Sequence, residues 1–198
     1  MSKRAKVGPK GTPRARLDLT GYVDVASFPE YDYETSGNMA KTFRESGSVG
    51  AGKAKLPPYV AHIATPQDLI LDYGAGDTIP HTRWLRSLGL NVVATDQMFD
   101  PDVHDPYAFN HKYDIIMCSN VLNVQTTPRN IVNVIYQLRS VIKPDGVLVV
   151  NYPESPRRIK SITDSDIETV LRRFFGYVSK TDIKRYLGGY SHGWVCRV

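Results

Sequence analysis

A chain of 198 residues with 41% hydrophobic content can bury one sizeable core, and a second domain of normal size would leave the first too short. No apolar run approaches the about 18 residues of a membrane span, and no apolar stretch follows the basic N-terminus as in a signal peptide, so a soluble cytoplasmic protein is expected. The net charge of +5 is unevenly placed: Lys3, Arg4, Lys6, Lys10, Arg14 and Arg16 precede the first acid, Asp18, and the remainder holds 19 basic against 20 acidic residues.

Residues 1–20 read as a basic flexible arm. Gly8, Pro9, Gly11 and Pro13 interrupt it and it has no apolar periodicity, so it should be disordered alone. It serves either to attract polyanions, nucleic acid above all, or as a solubilising tail. Residues 21–65 form an N-terminal extension or lid, aromatic and punctuated by Gly and Pro, with a short helical pattern in MAKTFRESG and another from Leu56. Gly50, Gly52 and Lys53 look like a phosphate loop but lack its spacing and the strand that should precede it.

The stretch from Asp68 to Asp96 organises the rest, which is read as one domain over 66–198. An apolar run (Leu69, Ile70, Leu71) is followed by a turn with Gly74 and Gly76, then a helix-patterned segment at 78–89 with Ile79, Trp84, Leu85 and Leu88 on one face. A β-branched run ending in Asp96 completes a β-α-β unit, because parallel strands need a crossover of about a dozen residues. Glycines there let backbone N–H groups approach a ligand at the helix N-terminus, and an acid about 20 residues on can accept ribose hydrogen bonds.

After Asp96 the chain is polar and turn-rich, with room for only a short third strand. YDIIMCSNV reads as a strand buried on both faces, interrupted at its end by Ser119 and Asn120. Thr127-Pro128-Arg129 starts a helix with a core stripe of Ile131, Val134, Ile135, Leu138 and Ile142, and Lys143-Pro144-Asp145-Gly146 ends it. The strand VLVVNYP follows, then a loop with Arg157, Arg158 and Lys160 near the same cleft edge. Asp164 is the expected cap of a helix that buries Ile167, Val170, Leu171 and Phe174. Strands around Gly188-Gly189, with a helical turn at 181–187, close the chain. Cys118 and Cys196 fall inside predicted strands as small core residues, and no metal-ligand spacing occurs.

The segment Asp72-Tyr-Gly-Ala-Gly76 resembles the first motif of class I S-adenosylmethionine-dependent methyltransferases. Asp96, then YDIIMCSNVLNV, then VIKPDGVLVV follow in the family's order over roughly 66–153. The resemblance implies a Rossmann-like α/β fold, a mostly parallel seven-stranded sheet with an antiparallel last strand and helices on both faces. It also implies S-adenosylmethionine as cofactor. Asp72 and Gly74, in the loop with Ala75 and Gly76, would hold its methionine end, Asp96 the ribose, and Asp102 or Asp105 the adenine, Asp102 fitting better by spacing. Gln97, next to Asp96, belongs to the same cofactor set. Tyr31, Tyr33 and Arg44 would be lid residues, or else aromatics and a cation packed at the sheet edge.

Methyl transfer from a sulfonium is an in-line displacement, so an enzyme mainly positions donor and acceptor. Ser119, Asn120 and Asn123, where a buried strand has just ended, are the candidate acceptor residues; alternatively the asparagines satisfy backbone groups of the turn. The acceptor end matches no known subclass. The Pro-Pro-aromatic of exocyclic-amine methyltransferases is absent after Ser119-Asn120, and Cys118 follows Met117 where cytosine-5 enzymes need Pro-Cys. A nicotinamide enzyme is disfavoured because Ile79 replaces the third glycine and no Tyr has a Lys four residues later. The expected function is a methyltransferase acting on nucleic acid or a nucleotide. Alternatives are a small-molecule methyltransferase and a catalytically silent fold that binds nucleic acid.

Overall fold

In the computed structural model the described residues are 55–96, 100–125, 127–153, 162–180, 183–187 and 191–198. The basic arm, Tyr31, Tyr33, Arg44, Gln97, Arg157, Arg158, Lys160 and the Gly188-Gly189 turn lie outside them. Helix α1 (Leu56–Ile63) takes prolines in its first turn, where no N–H is needed, and leads into β1 (Leu69–Tyr73). Helix α2 (Pro80–Ser87) crosses to β2 (Asn91–Thr95), which pairs parallel to β1. Then come β3 (Tyr113–Cys118), α3 (Pro128–Val141), β4 (Ile142–Pro153), α4 (Asp164–Phe174), β5 (Tyr177–Ser179), α5 (Lys184–Leu187) and β6 (Ser191–Arg197).

The strand order is β2-β1-β3-β4-β6-β5, parallel through β4, with β6 antiparallel to both β4 and β5. Alternation along the strands sorts the core into two layers. Leu71, Ile116, Leu148, Val150, Trp194 and Cys196 meet the apolar stripes of α3 and α4. Ile70, Ile115, Met117, Val149 and Val195 meet α1, α2 and α5. Helices therefore cover both faces, and Cys118 and Cys196 are free, buried thiols. Among the described residues no helix is long and apolar enough to cross a membrane.

Three expectations need correction. The sheet has six strands among the described residues, not seven, and the missing one is the short third strand. Residues 100–112 form turns and a 3-10 helix at Ala108–Asn110 instead. The reason is visible on the outer edge of β2: Val92 O accepts from Arg86 Nε and Nη2 at 2.9 and 2.7 Å, and Ala94 O accepts from Asp105 N–H at 2.9 Å. Carbonyls that a neighbouring strand would use are already bonded. The opposite edge is treated alike, since Arg172 Nη2 reaches Val178 O at 3.1 Å.

Lys143 to Gly146, expected to turn the chain, instead lie inside β4. The register jumps there from Tyr113↔Ile142 to Ile115↔Val147, a bulge that accommodates Pro144. A side chain on Gly146 would come within 2.9 Å of Tyr113 O, so the bulge packs backbone directly on backbone. Ile142 accordingly belongs to β4 and not to the stripe of α3. The cap of α4 is Thr163, one residue before Asp164. Thr163 N–H donates to Asp166 Oδ2 at 2.8 Å and Asp166 N–H to Thr163 Oγ1 at 3.3 Å, a capping box in the pattern Thr-x-x-Asp.

Candidate functional site

The strand order reverses between β1 and β3. The loop after β1 runs to α2 on one face and the segment after β3 runs to α3 on the other, so the two part company at the C-terminal ends of the strands, where open α/β sheets bind their ligands. The first loop is held tightly. Gly74 N–H and Ala75 N–H both donate to Thr95 O, at 2.9 and 3.1 Å. Gly74 (φ +77°) and Gly76 (φ +74°) adopt left-handed backbone that other residues rarely take. A Cβ on Gly74 would lie 2.3 Å from Val121 Cγ2, so the glycine also lets the segment after β3 close on the loop.

Gly76 N–H donates to Asp96 Oδ2 at 2.9 Å, joining the loop to the acid at the end of β2. The carbonyl of Gly76 faces Nε2 of the buried His104 at 2.9 Å. Beneath the loop, Asp72 is 1% exposed. Its Oδ2 accepts from Thr82 Oγ1 at 2.7 Å, and its Oδ1 has no hydrogen-bond partner. Burial pushes its carboxyl up to about 7, with the negative charge of Asp96 acting in the same direction and the Thr82 hydroxyl opposing it. The neighbouring Cys118 thiol is likewise pushed up, by burial and by Asp72, which leaves it no nucleophile.

Of the two acids proposed for the adenine, Asp102 is exposed, its N–H bonded to Asp100 Oδ1 at 3.0 Å. Asp105 is half-buried, is moored to β2 through its N–H, and accepts from Tyr107 N–H at 2.7 Å. At the end of β3, Asn120 sits at φ +59° and is exposed. Its N–H donates to Asn151 Oδ1 at 2.7 Å and its Oδ1 accepts from Asn151 Nδ2 at 2.9 Å, a reciprocal pair that ties the ends of β3 and β4 together. Ser119 and Asn123 are buried, and Ser119 Oγ and Asn123 Oδ1 have no hydrogen-bond partner; nor does Oδ1 of Asn133 in α3.

The structure thus brings Asp72, Gly74, Ala75, Gly76 and Asp96 into one loop assembly, with Ser119, Asn120 and Asn123 at the neighbouring strand end. It adds Thr82 and His104, which the sequence did not single out. Thr82 sits in a helix whose pattern reads as an ordinary core face. His104 carries a weak signal, a lone imidazole in an acid-rich turn four residues after Asp100.

No family model matches the chain, and no curated protein matches it in sequence. Solved structures do. A TehB-like S-adenosylmethionine-dependent methyltransferase from Corynebacterium glutamicum shares 15% identity, with 83% of this chain and 97% of that one aligned at a TM-score of 0.56. The 1,6-didemethyltoxoflavin-N1-methyltransferase of Burkholderia thailandensis, solved with 1,6-didemethyltoxoflavin and S-adenosylhomocysteine bound, shares 16% identity over 86% of this chain and 92% of its own, at a TM-score of 0.60. With the order of its strands and the placing of its glycine loop, the chain has the Rossmann-like fold of the class I S-adenosylmethionine-dependent methyltransferases.

Proposed function

We propose that this chain is an S-adenosylmethionine-dependent methyltransferase whose acceptor is a nucleic acid or a nucleotide. The observation that carries the cofactor half is the 2.9 Å bond from Gly76 N–H to Asp96, which closes the glycine loop on the acid ending β2. The residues fit the group. Asp96 would accept from the ribose hydroxyls, Gly74 to Gly76 offer backbone with no bulky side chain, and Asp72, with one unpartnered oxygen, would face the cationic methionine end. Asp105 or Asp102 would serve the adenine. When bound, the cofactor would supply a methyl carbon that an acceptor nucleophile takes in line, with the sulfonium sulfur leaving as a neutral thioether. The chain's own part is positional: Ser119, Asn120 and Asn123 would orient the acceptor through hydrogen bonds.

The nucleic-acid half rests on the sequence, on the uncompensated charge of residues 3–16 with Arg157, Arg158 and Lys160. One observation favours a small-molecule acceptor instead: Ser119, Asn120, Asn123 and Asn151, the polar groups described at the ends of β3 and β4, carry no charge. The Burkholderia protein, which holds a small heterocycle, offers a parallel.

Calorimetric titration with S-adenosylhomocysteine tests the first half. Asp96→Ala should weaken binding at least tenfold, since a hydrogen bond to a charged group contributes about 1.5–3 kcal/mol. No binding by wild type, or an unchanged dissociation constant in the variant, overturns it. For the acceptor, filter binding of DNA and RNA over a salt series compares the full chain with one lacking residues 1–16. Each phosphate contact should contribute a log-log slope of roughly −0.7 to −0.9. Identical slopes for the two forms favour the small molecule.

A further inference from the structure

We propose that His104 is a positioning residue for the cofactor loop, holding the Gly76–Asp77 peptide so that the Asp77 N–H is aimed at the ligand. This rests on the cofactor reading above and assigns a part in it to a residue outside the glycine motif. His104 is 3% exposed, so its ring nitrogens must find partners inside the protein. Nδ1 accepts from Asp100 N–H at 2.9 Å and therefore carries no proton. The ring proton is on Nε2, where it is donated to Gly76 O at 2.9 Å, across 28 residues of sequence.

The support behind that donor is rigid. His104 N–H and Val103 N–H both return to Asp100 O, at 2.8 and 3.2 Å, which closes the turn on itself. Asp105 N–H, on Ala94 O at 2.9 Å, fastens the same turn to β2. The ring is thus presented by backbone fixed to the sheet.

Gly76 is where such a hold matters. A glycine at φ +74° has no side chain to resist rotation of the peptide that follows it. Its N–H is fixed by Asp96, but the next peptide plane turns independently. The other internal donor to Gly76 O, Ile79 N–H, stands at 3.4 Å and is weak. No peptide bond here is cis, and in a trans peptide the carbonyl and the following N–H point in opposite directions. Directing Gly76 C=O inward to the imidazole therefore directs Asp77 N–H outward. Asp96 and His104 grip the two sides of one residue, and together they present the loop already in its binding shape.

Two near-isosteric substitutions separate positioning from mere stability. In His104→Gln the side-chain amide can still donate at the place of Nε2. In His104→Asn the carbonyl oxygen can still accept from Asp100 N–H, so the turn is kept, but the donor to Gly76 O is lost. Titration of wild type and both variants with S-adenosylhomocysteine is paired with thermal unfolding in its absence and with amide exchange at Gly76 to Thr78. The expected result is near-normal affinity for Gln, about tenfold weaker binding for Asn, equivalent to about 1.4 kcal/mol, and faster exchange of the Asp77 amide in Asn alone. Equal affinity of wild type and His104→Asn overturns the proposal while leaving the cofactor reading standing. Should neither variant fold, retained binding by a His104→Ala protein refolded with ligand would overturn it equally. A wild type that does not bind S-adenosylhomocysteine overturns the cofactor reading, and this role with it.

Discussion

The loop after β1 and the segment after β3 lie at the same end of the sheet and touch through Gly74 and Val121, yet they are built differently. In the first, Gly74, Ala75 and Gly76 are bonded to Thr95, Asp96 and His104, and beneath them one buried side-chain oxygen, of Asp72, has no partner. In the second, the Asn120–Asn151 pair is complete, but Ser119 Oγ and Asn123 Oδ1 make no hydrogen bond. Buried polar atoms without partners are costly, about 1–3 kcal/mol each, so a fold keeps them where something else justifies them. A loop finished in advance suits a ligand that is always the same. A strand end with buried polar atoms that lack protein partners is the less completed of the two.

The largest test breaks the contact between the two regions. Gly74→Ala places a methyl against Val121 and an ordinary residue at φ +77°, and should cost about 2–5 kcal/mol in urea unfolding. Adding Val121→Ala should return the packing share and leave the backbone share. Strict additivity of the two substitutions would mean that the regions are not in contact.

A second test sharpens the contrast from within the finished loop. Burial pushes the Asp72 carboxyl from its ordinary 3.8 up to about 7 in the folded protein. Between those values the folded protein holds a proton that the unfolded chain has released, so this group's contribution to stability is full below pH 3.8 and is lost as pH rises to about 7. The loss is on the order of 4 kcal/mol. Asp72→Asn should remove it, so that the stability of the variant relative to wild type grows from pH 4.5 to 7.5. A constant difference in thermal unfolding over that interval would contradict the assignment.

At the strand end, Asn120→Ala should destabilise by about 1–2 kcal/mol more than Asn120→Gly, because only glycine accepts φ +59° freely. Both lose the amide pair, so both should lower turnover while leaving S-adenosylhomocysteine affinity unchanged; an equal fall in affinity would erase the distinction between the regions. The smallest effect belongs at the other end of the same strands. Lys143→Met removes a half-exposed ion pair with Asp114 and should shift stability by less than about 1 kcal/mol, with binding untouched.

Much of this was legible in the sequence where the signal is local. The β-α-β unit, the helix start at Thr127 and the two-sided burial of β3 follow from periodicity and turn chemistry within short windows. That no third strand stands among the described residues was not legible, because it depends on Arg86 and Asp105 occupying the edge of β2, a tertiary event with no local pattern. The β4 bulge was hidden for a related reason: Lys-Pro-Asp-Gly reads as a turn anywhere, and only pairing with Tyr113 and Ile115 makes it part of a strand. Within the site, Gly74, Gly76 and Asp96 announce themselves by residue type. Thr82 is recognised only by the partner it finds, and His104 chiefly by its own.

Arg86 and Arg172 share a spacing whose consequence concerns the chain while it is being made. Each stands six residues before the carbonyl it covers, Val92 O and Val178 O, so each cover closes over a very short loop at little entropic cost. An emerging chain can thus shield a fresh strand border as soon as the helix and strand before it exist, ahead of the remaining sheet. Exposed borders recruit strands from other molecules, and newly synthesised chains are the most crowded with such partners. The same spacing marks where the protein will not tolerate engineering: inserting residues in the short connections at 88–90 or 175–176 would part each guanidinium from its carbonyl and reopen a border for recruitment.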